Sequence, residues 1–325
     1  MKSLLPLNPH AYQQHAIHGD DRIWAETNCY VDVLIELIHA FGYNPVAGLA
    51  FTLSIDFESD QWTFFKYPPI DLLELYGMDV QELNPWRSLA IHVQTQVEAG
   101  RPVLVELDSY YLPDTAGTAY KTDHVKSTVA VNEIDIEKKH MGYFHGQGYY
   151  HVGGEDFEQL FQLNGLVHER MLPPYIELIK LREQPNKING QILLRRSIIS
   201  LQRQLRIMPE QNPFDKFSEQ FIVDVNWLRQ ESIDSFHKYA FATLRQFGAC
   251  FELSATYLQW LTDSGETDLE VARAGYLAIS NDVKTYQFKL ARSIARNKII
   301  ALDELHSMAK HWQQCRDILT TKYLK

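Results

Sequence analysis

Cys29 stands in the run Trp24-Ala-Glu-Thr-Asn-Cys-Tyr-Val-Asp32, directly before an amphipathic helical pattern, so its thiol falls at a helix N-terminus. Exposed amide donors there favour negative charge, and the thiolate is the nucleophilic form of cysteine. Such a nucleophile needs a base, and the base needs a group that orients it. His124 opens the β-branched run His124-Val-Lys-Ser-Thr-Val-Ala-Val131 and is the base this reading selects. If that run pairs with Met141-Gly-Tyr-Phe-His145 in a hairpin turning near Ile136, a residue between 145 and 148 lies across from His124. His145 and Gln147 are the orienting groups available there. Asp108, ending an earlier apolar run, is the alternative orienter or a holder for a substrate amine. The chemistry these residues suit is attack on an acyl group, an acyl-enzyme on Cys29, and transfer to an acceptor.

Backbone amides at Cys29, helped by Asn28, are expected to stabilise the oxyanion. Trp24, Glu26, Tyr111 and Trp62 join Asp108 and Asn28 as the residues expected to line a substrate site. No metal centre is expected, because His10, His15 and His18 have no ligand spacing and no His-Glu-x-x-His run occurs. Asp56, Glu58 and Asp60 alternate like calcium ligands but lack the glycine and closing glutamate of an EF-hand loop, and read as solvated. The glycines at 146, 148, 153 and 154 form no phosphate-binding fingerprint, so no nucleotide or other bound cofactor is expected.

The elements that must position these groups follow from periodicity. Tyr30, Val33, Leu34, Leu37, Ile38 and Phe41 predict a helix over 30–42, ended by Gly42. Strands are expected over 50–56, 61–65, 101–108, 124–131 and 141–145, and helices over 71–76, 86–99 and from 155 to 161. Residues 173–190 hold three prolines and Gly190 and predict a domain junction, which divides the chain into an α+β domain over 1–185 and a helical bundle over 186–325. Long helices are expected over 191–207, 215–230, 233–262, 267–294 and 297–322.

The chain has 325 residues, 45% of them hydrophobic and 22% charged, which suits two folded cores. A net charge of −10 opposes nonspecific nucleic-acid binding and offers no broad basic field to a membrane. Three widely spaced cysteines suggest neither disulfides nor a zinc knuckle, and no run approaches a membrane span, so a reduced, cytoplasmic protein is expected.

Glu26-Thr-Asn-Cys-Tyr30, Asp56-Phe-Glu-Ser-Asp-Gln-Trp-Thr-Phe-Phe65, Leu112-Pro-Asp-Thr-Ala-Gly-Thr-Ala-Tyr120, His124-Val-Lys-Ser-Thr128, Gly142-Tyr-Phe-His145 and Phe241-Ala-Thr-Leu-Arg-Gln-Phe-Gly-Ala249 together resemble a bacterial family of unknown function, numbered 1839 among such families. That resemblance implies association with amino acid:carrier-protein ligases and with carrier proteins holding aminoacyl thioesters on a phosphopantetheine arm. More distantly, Cys29, Pro102-Val-Leu-Val-Glu-Leu-Asp-Ser-Tyr-Tyr-Leu-Pro113 and His124 are similar to the butirosin-biosynthesis type of acyltransferase. Those proteins are papain-like relatives of the C39 peptidases. The resemblance implies a papain-like first domain that moves an acyl group from a carrier protein to a small amine, with the helical domain as docking face or homodimer contact. His145 or Gln147 then stands where aspartate is usual, and Ile23 where a glutamine often precedes the nucleophile. Arg195, Arg196, Arg203 and Arg206 are the basic groups available to an acidic carrier protein.

Overall fold

Apolar runs in the first half of the chain are short and rich in valine, isoleucine and aromatic residues, the composition that settles on a pleated, half-buried surface. The computed structural model describes residues 2–24, 27–163, 174–183, 188 and 190–324. Its strands are β1 (Lys2–Ser3), β2 (Phe57–Glu58), β3 (Gln61–Trp62), β4 (Met78–Glu82), β5 (Val103–Asp108), β6 (Lys126–Asp135), β7 (His140–His145), β8 (Gly148–Gly153) and β9 (Ile176–Leu181). The helices of the same half are α1 (Cys29–Ala40), α2 (Pro69–Tyr76), α3 (Leu89–Glu98) and α4 (Gly154–Leu160). After them come α5 (Gly190–Arg206), α6 (Pro213–Leu228), α7 (Ile233–Ala240), α8 (Gln246–Asp263), α9 (Glu270–Ala295) and α10 (Asp303–Tyr323). None of the described helices is long and apolar enough to cross a membrane.

The chain is α+β and divides into two compact units. Unit 1 comprises Met1–Gly19, Asn28–Pro45 and Pro68–Ile188. Its sheet runs β4-β9-β5-β6-β7-β8, antiparallel throughout, with β1 added to β6 at Ser3↔Glu133. Helix α1 packs on β6 and β7. The other face carries α3 and α4, whose Val93, Val97 and Phe157 join Val105, Val129 and Tyr143 in one apolar cluster. With both faces covered, β6 is buried continuously from Thr128 to Ile134 instead of alternating.

Helix α1 is apolar almost all round, and two carboxylates, Asp32 and Glu36, are buried with it. His18 answers both: Nδ1 lies 2.5 Å from Glu36 Oε1 and Nε2 lies 3.2 Å from Asp32 Oδ1. Tyr12 donates its hydroxyl to Glu36 and packs its ring on Phe144, so this cluster also fastens the N-terminal segment to the sheet. Burial alone would lower the His18 pKa, but the hydrogen bonds and charges of Asp32 and Glu36 outweigh it and raise the imidazole to about 9.

Unit 2 comprises Asp20–Thr27, Val46–Tyr67 and Asn189–Lys325. Helices α5 to α10 belong to it, and at its core Trp62 meets Phe57 of β2, Phe214 and Phe217 of α6, and Phe247 and Phe251 of α8 at ring-centre distances of 4.7–6.5 Å. Two early segments therefore belong with the helices, a discontinuity that a linear division at 185/186 does not describe. The strand expected over 50–56 is instead a 3₁₀ stretch, Pro45–Ser54. Its apolar residues are buried together, and Ser197 Oγ donates to the Ala47 carbonyl, so packing against helices overrides the local alternation. The helix expected over 233–262 is interrupted by a π turn at Phe241–Arg245, whose extra residue leaves Phe241 exposed while Leu244 and Phe247 are buried. Residues 176–181, expected within a junction, form β9 between β4 and β5. Prolines flanking this short run resembled a linker locally, whereas its alternate side chains complete the sheet.

Two outcomes test these packing arguments. Because the folded-state pKa of His18 is raised, its stabilisation is full below about pH 6.5, falls as pH rises, and is gone above about pH 9. Urea unfolding of wild type and His18→Gln from pH 6 to 10 should show a difference on the order of 3 kcal/mol attributable to this proton at low pH, vanishing at the alkaline end. In unit 2, a Cβ on Gly248 would come 2.6 Å from the Trp24 ring and 2.7 Å from Val283. Gly248→Ala should lower stability by about 1–3 kcal/mol in thermal unfolding, despite the better helix propensity of alanine.

Candidate active site

Asn28 caps α1, its side chain accepting from the Val31 amide at 2.9 Å, and this makes Cys29 the first helical residue. The amides of Cys29 and Tyr30 consequently have no acceptor within the helix. The thiol is free and half-buried, and its one hydrogen-bond contact among the described residues is Thr128 Oγ1 at 3.7 Å. Thr128 pairs with Glu106 and Lys126 with Asp108 across β5 and β6. Side chains at alternate positions share a face, so Cys29, Thr128, Glu106, Lys126 and Asp108 lie along one side of the sheet. Lys126 Nζ donates to Glu106 Oε1 at 2.6 Å between the two ends of this row.

His124 stands at the far end. Its Nδ1 is 2.7 Å from Asp108 Oδ2, and its ring stacks on Tyr110 with 4.3 Å between centres. The imidazole is 65% exposed. Asp108 and His124, with Arg87, Leu107, Tyr111 and Lys126, line a cavity of about 750 Å³. Cys29 does not line it. Among the described residues no hydrogen bond joins the imidazole to the thiol: His124 is held by Asp108, whereas Cys29 meets Thr128.

The expected orienters from β7 are also elsewhere. Ala130 pairs with Phe144, and the chain turns at Gly146 and Gln147 into β8, so β7 ends before reaching His124. His145 instead takes part in a separate relay: Nε2 is 2.9 Å from Ser127 Oγ and Nδ1 is 2.5 Å from Asp114 Oδ2, while Tyr143 donates to Asp114 Oδ1 at 2.5 Å. Gln147 sits in the β7–β8 turn and is half-buried. Asp108 is the carboxylate at hydrogen-bond distance from His124.

Trp24 and Trp62, expected to line a substrate site, are core residues of unit 2. Trp24 Nε1 donates to Ser280 Oγ at 3.0 Å, its backbone amide donates to Glu252, and Lys284 lies over its ring. Both indoles are large apolar surfaces whose burial among helices outweighs exposure in a cleft. Glu26 lies outside the described residues. Asn28 spends its side-chain oxygen on the helix cap, and Tyr111 lies edge-on to His124 at the cavity. Sequence reasoning missed Asp114 and Ser127 because their relation to His145 is a matter of strand register and loop return, which no local spacing encodes.

A profile described as the DUF1839 N-terminal domain matches residues 13–181, and one described as the DUF1839 C-terminal domain matches residues 190–321. Among curated proteins none matches the chain.

The three cysteines differ sharply in environment. Burial pushes the Cys250 thiol well above its ordinary value and Cys315 up to about 12, and both are enclosed. Iodoacetamide on the native protein should therefore add one carboxamidomethyl group, mapped by peptide mass to Cys29, whereas denatured protein takes three.

Proposed function

The chain belongs to the DUF1839 family, and on that premise we propose that it is a papain-like acyl or aminoacyl transferase acting on thioesters. In this reading the Cys29 thiolate attacks the thioester carbonyl carbon, the donor's C–S bond breaks, and the donor leaves as a thiolate that takes its proton from water. An amine or other small acceptor then attacks the Cys29 thioester, loses its proton to His124, and the thiolate is released. The observation that carries the proposal is the half-exposed Cys29 at the capped start of α1, on the sheet row that ends in a histidine held by Asp108.

A thioester is already activated, so its exchange onto Cys29 requires a thiolate but no imidazole in contact with the sulfur. With Nδ1 of His124 occupied by Asp108, Nε2 is left for the acceptor's proton. The Lys126–Glu106 pair stands between the two groups, and the acceptor has to bridge it. The donor in this reading is a carrier protein presenting its acyl group on a phosphopantetheine arm. On α5, Arg195 and Arg206 are exposed and available to an acidic carrier, whereas Arg196 and Arg203 are half-buried and engaged.

A second reading rests on the Ser127–His145–Asp114 relay, whose distances match a serine nucleophile, base and orienter in contact. Water as acceptor would make either site a hydrolase. The two are separated by mixing wild type, Cys29→Ala, His124→Ala and Ser127→Ala with an aminoacyl-pantetheine thioester and following intact mass. The expected result is an acyl adduct on wild type, His124→Ala and Ser127→Ala, none on Cys29→Ala, and transfer to an added amine slowed about 10²–10⁴-fold in His124→Ala. An adduct that survives in Cys29→Ala and disappears in Ser127→Ala moves the chemistry to the serine. No adduct on any form, with Cys29 no more reactive than a free thiol, sinks covalent catalysis and leaves a module that binds a carrier protein or synthetase.

A further inference from the structure

We propose that Glu133, His140 and His151 bind one divalent transition-metal ion of the imidazole-preferring class, zinc or a near neighbour, at the end of β6 remote from His124. The three ligand atoms lie within 4.8 Å of one another, with His140 Nε2 3.2 Å and His151 Nε2 3.0 Å from Glu133 Oε1. A tetrahedral ion with bonds of about 2.0–2.1 Å spaces its ligand atoms by about 3.4 Å, so small shifts would accommodate one.

Three features of the sheet build this arrangement. Glu133, Gly142 and His151 form one row across β6, β7 and β8, and His140 lies two residues from Gly142 on the same face. That face is opposite Met141, Tyr143 and Val152, which belong to the core under α3 and α4. The register shifts between Val131 and Glu133, a bulge of the kind that re-aims side chains at sites. Gly142 at the middle of the row leaves the space the carboxylate occupies: a Cβ there would lie 2.7 Å from Glu133 Cγ, 2.8 Å from Glu133 Oε1 and 2.2 Å from the Tyr149 hydroxyl. Any other residue at 142 would force the Tyr149 hydroxyl and the Glu133 side chain to shift.

The electrostatics agree with a cation site. The Glu133 side chain is 8% exposed, and among the described residues its only ion-pair partners are the two imidazoles. A buried carboxylate with no lysine or arginine is costly unless a cation answers it. His140 and His151, 27% and 37% exposed, open the site to solvent and give an ion a way in. Two imidazoles and one carboxylate select zinc, iron, cobalt or nickel over calcium or magnesium, and three ligands leave a coordination position for water or a ligand.

The test uses the full chain, stripped with chelator and titrated with Co²⁺ and then Zn²⁺. One Co²⁺ per chain should bind with visible d–d absorption, be displaced by Zn²⁺, and remain after gel filtration by elemental analysis. Glu133→Gln, nearly the same shape as wild type, and His151→Ala should each weaken binding by at least the ~10–100-fold that loss of an outer-shell partner costs. Gly142→Ala should weaken it too, while His306→Ala on α10 should not. Circular dichroism of each metal-free variant verifies the fold. Absence of a Co²⁺ band in wild type, or equal binding by Glu133→Gln and His151→Ala, overturns the proposal without touching the role of Cys29.

Discussion

Burying two carboxylates one turn apart on a central helix costs several kcal/mol per ion unless a cation and hydrogen bonds replace water. Asp32 and Glu36 meet that condition through His18, Tyr12 and the His15 amide, so α1 can lie on the sheet with almost no solvent around it. The position of α1 in turn sets where its first turn ends, and therefore that the Cys29 thiol reaches Thr128. The N-terminal segment is part of this arrangement rather than an appendage, because the residues that neutralise the helix are the same ones that tie the segment to β7 and β8.

Strand β6 distributes chemistry by alternation. Thr128 faces the thiol, while its neighbour Ser127 faces His145 on the other side. Five residues on, the bulge turns Glu133 toward two imidazoles from the next two strands. One strand thus serves three polar clusters, and a slip of a single residue would exchange their faces. This explains why polar groups in the middle of a covered sheet are tolerated: each is answered by a partner that only this register delivers.

Local signals carried most of the helices, since α1, α2, α5, α6, α9 and α10 follow apolar periods longer than one turn, whereas the single helix expected over 233–262 is divided into α7 and α8 by the π turn. The position of Cys29 at a helix start was legible for the same reason, as were β5, β6 and β7. Short strands with weak alternation, β4, β8 and β9, were not. Neither was the choice among the orienters open to His124: hairpin length put His145 and Gln147 ahead of Asp108, whereas the chain turns back at Gly146 and the adjacent strand β5 brings Asp108 to the imidazole.

By its own order of residues, the sequence determined the family, the α+β character, the helix that carries Cys29 and the strand that follows His124. Those properties depend on groups a few residues apart. Tertiary structure alone decided that Cys29 meets Thr128 rather than His124, that Trp24 and Trp62 belong to a helical core, and that Glu133, His140 and His151 converge. Such contacts depend on strand register and on a bulge, quantities set by the packing of both sheet faces at once and by no segment in isolation.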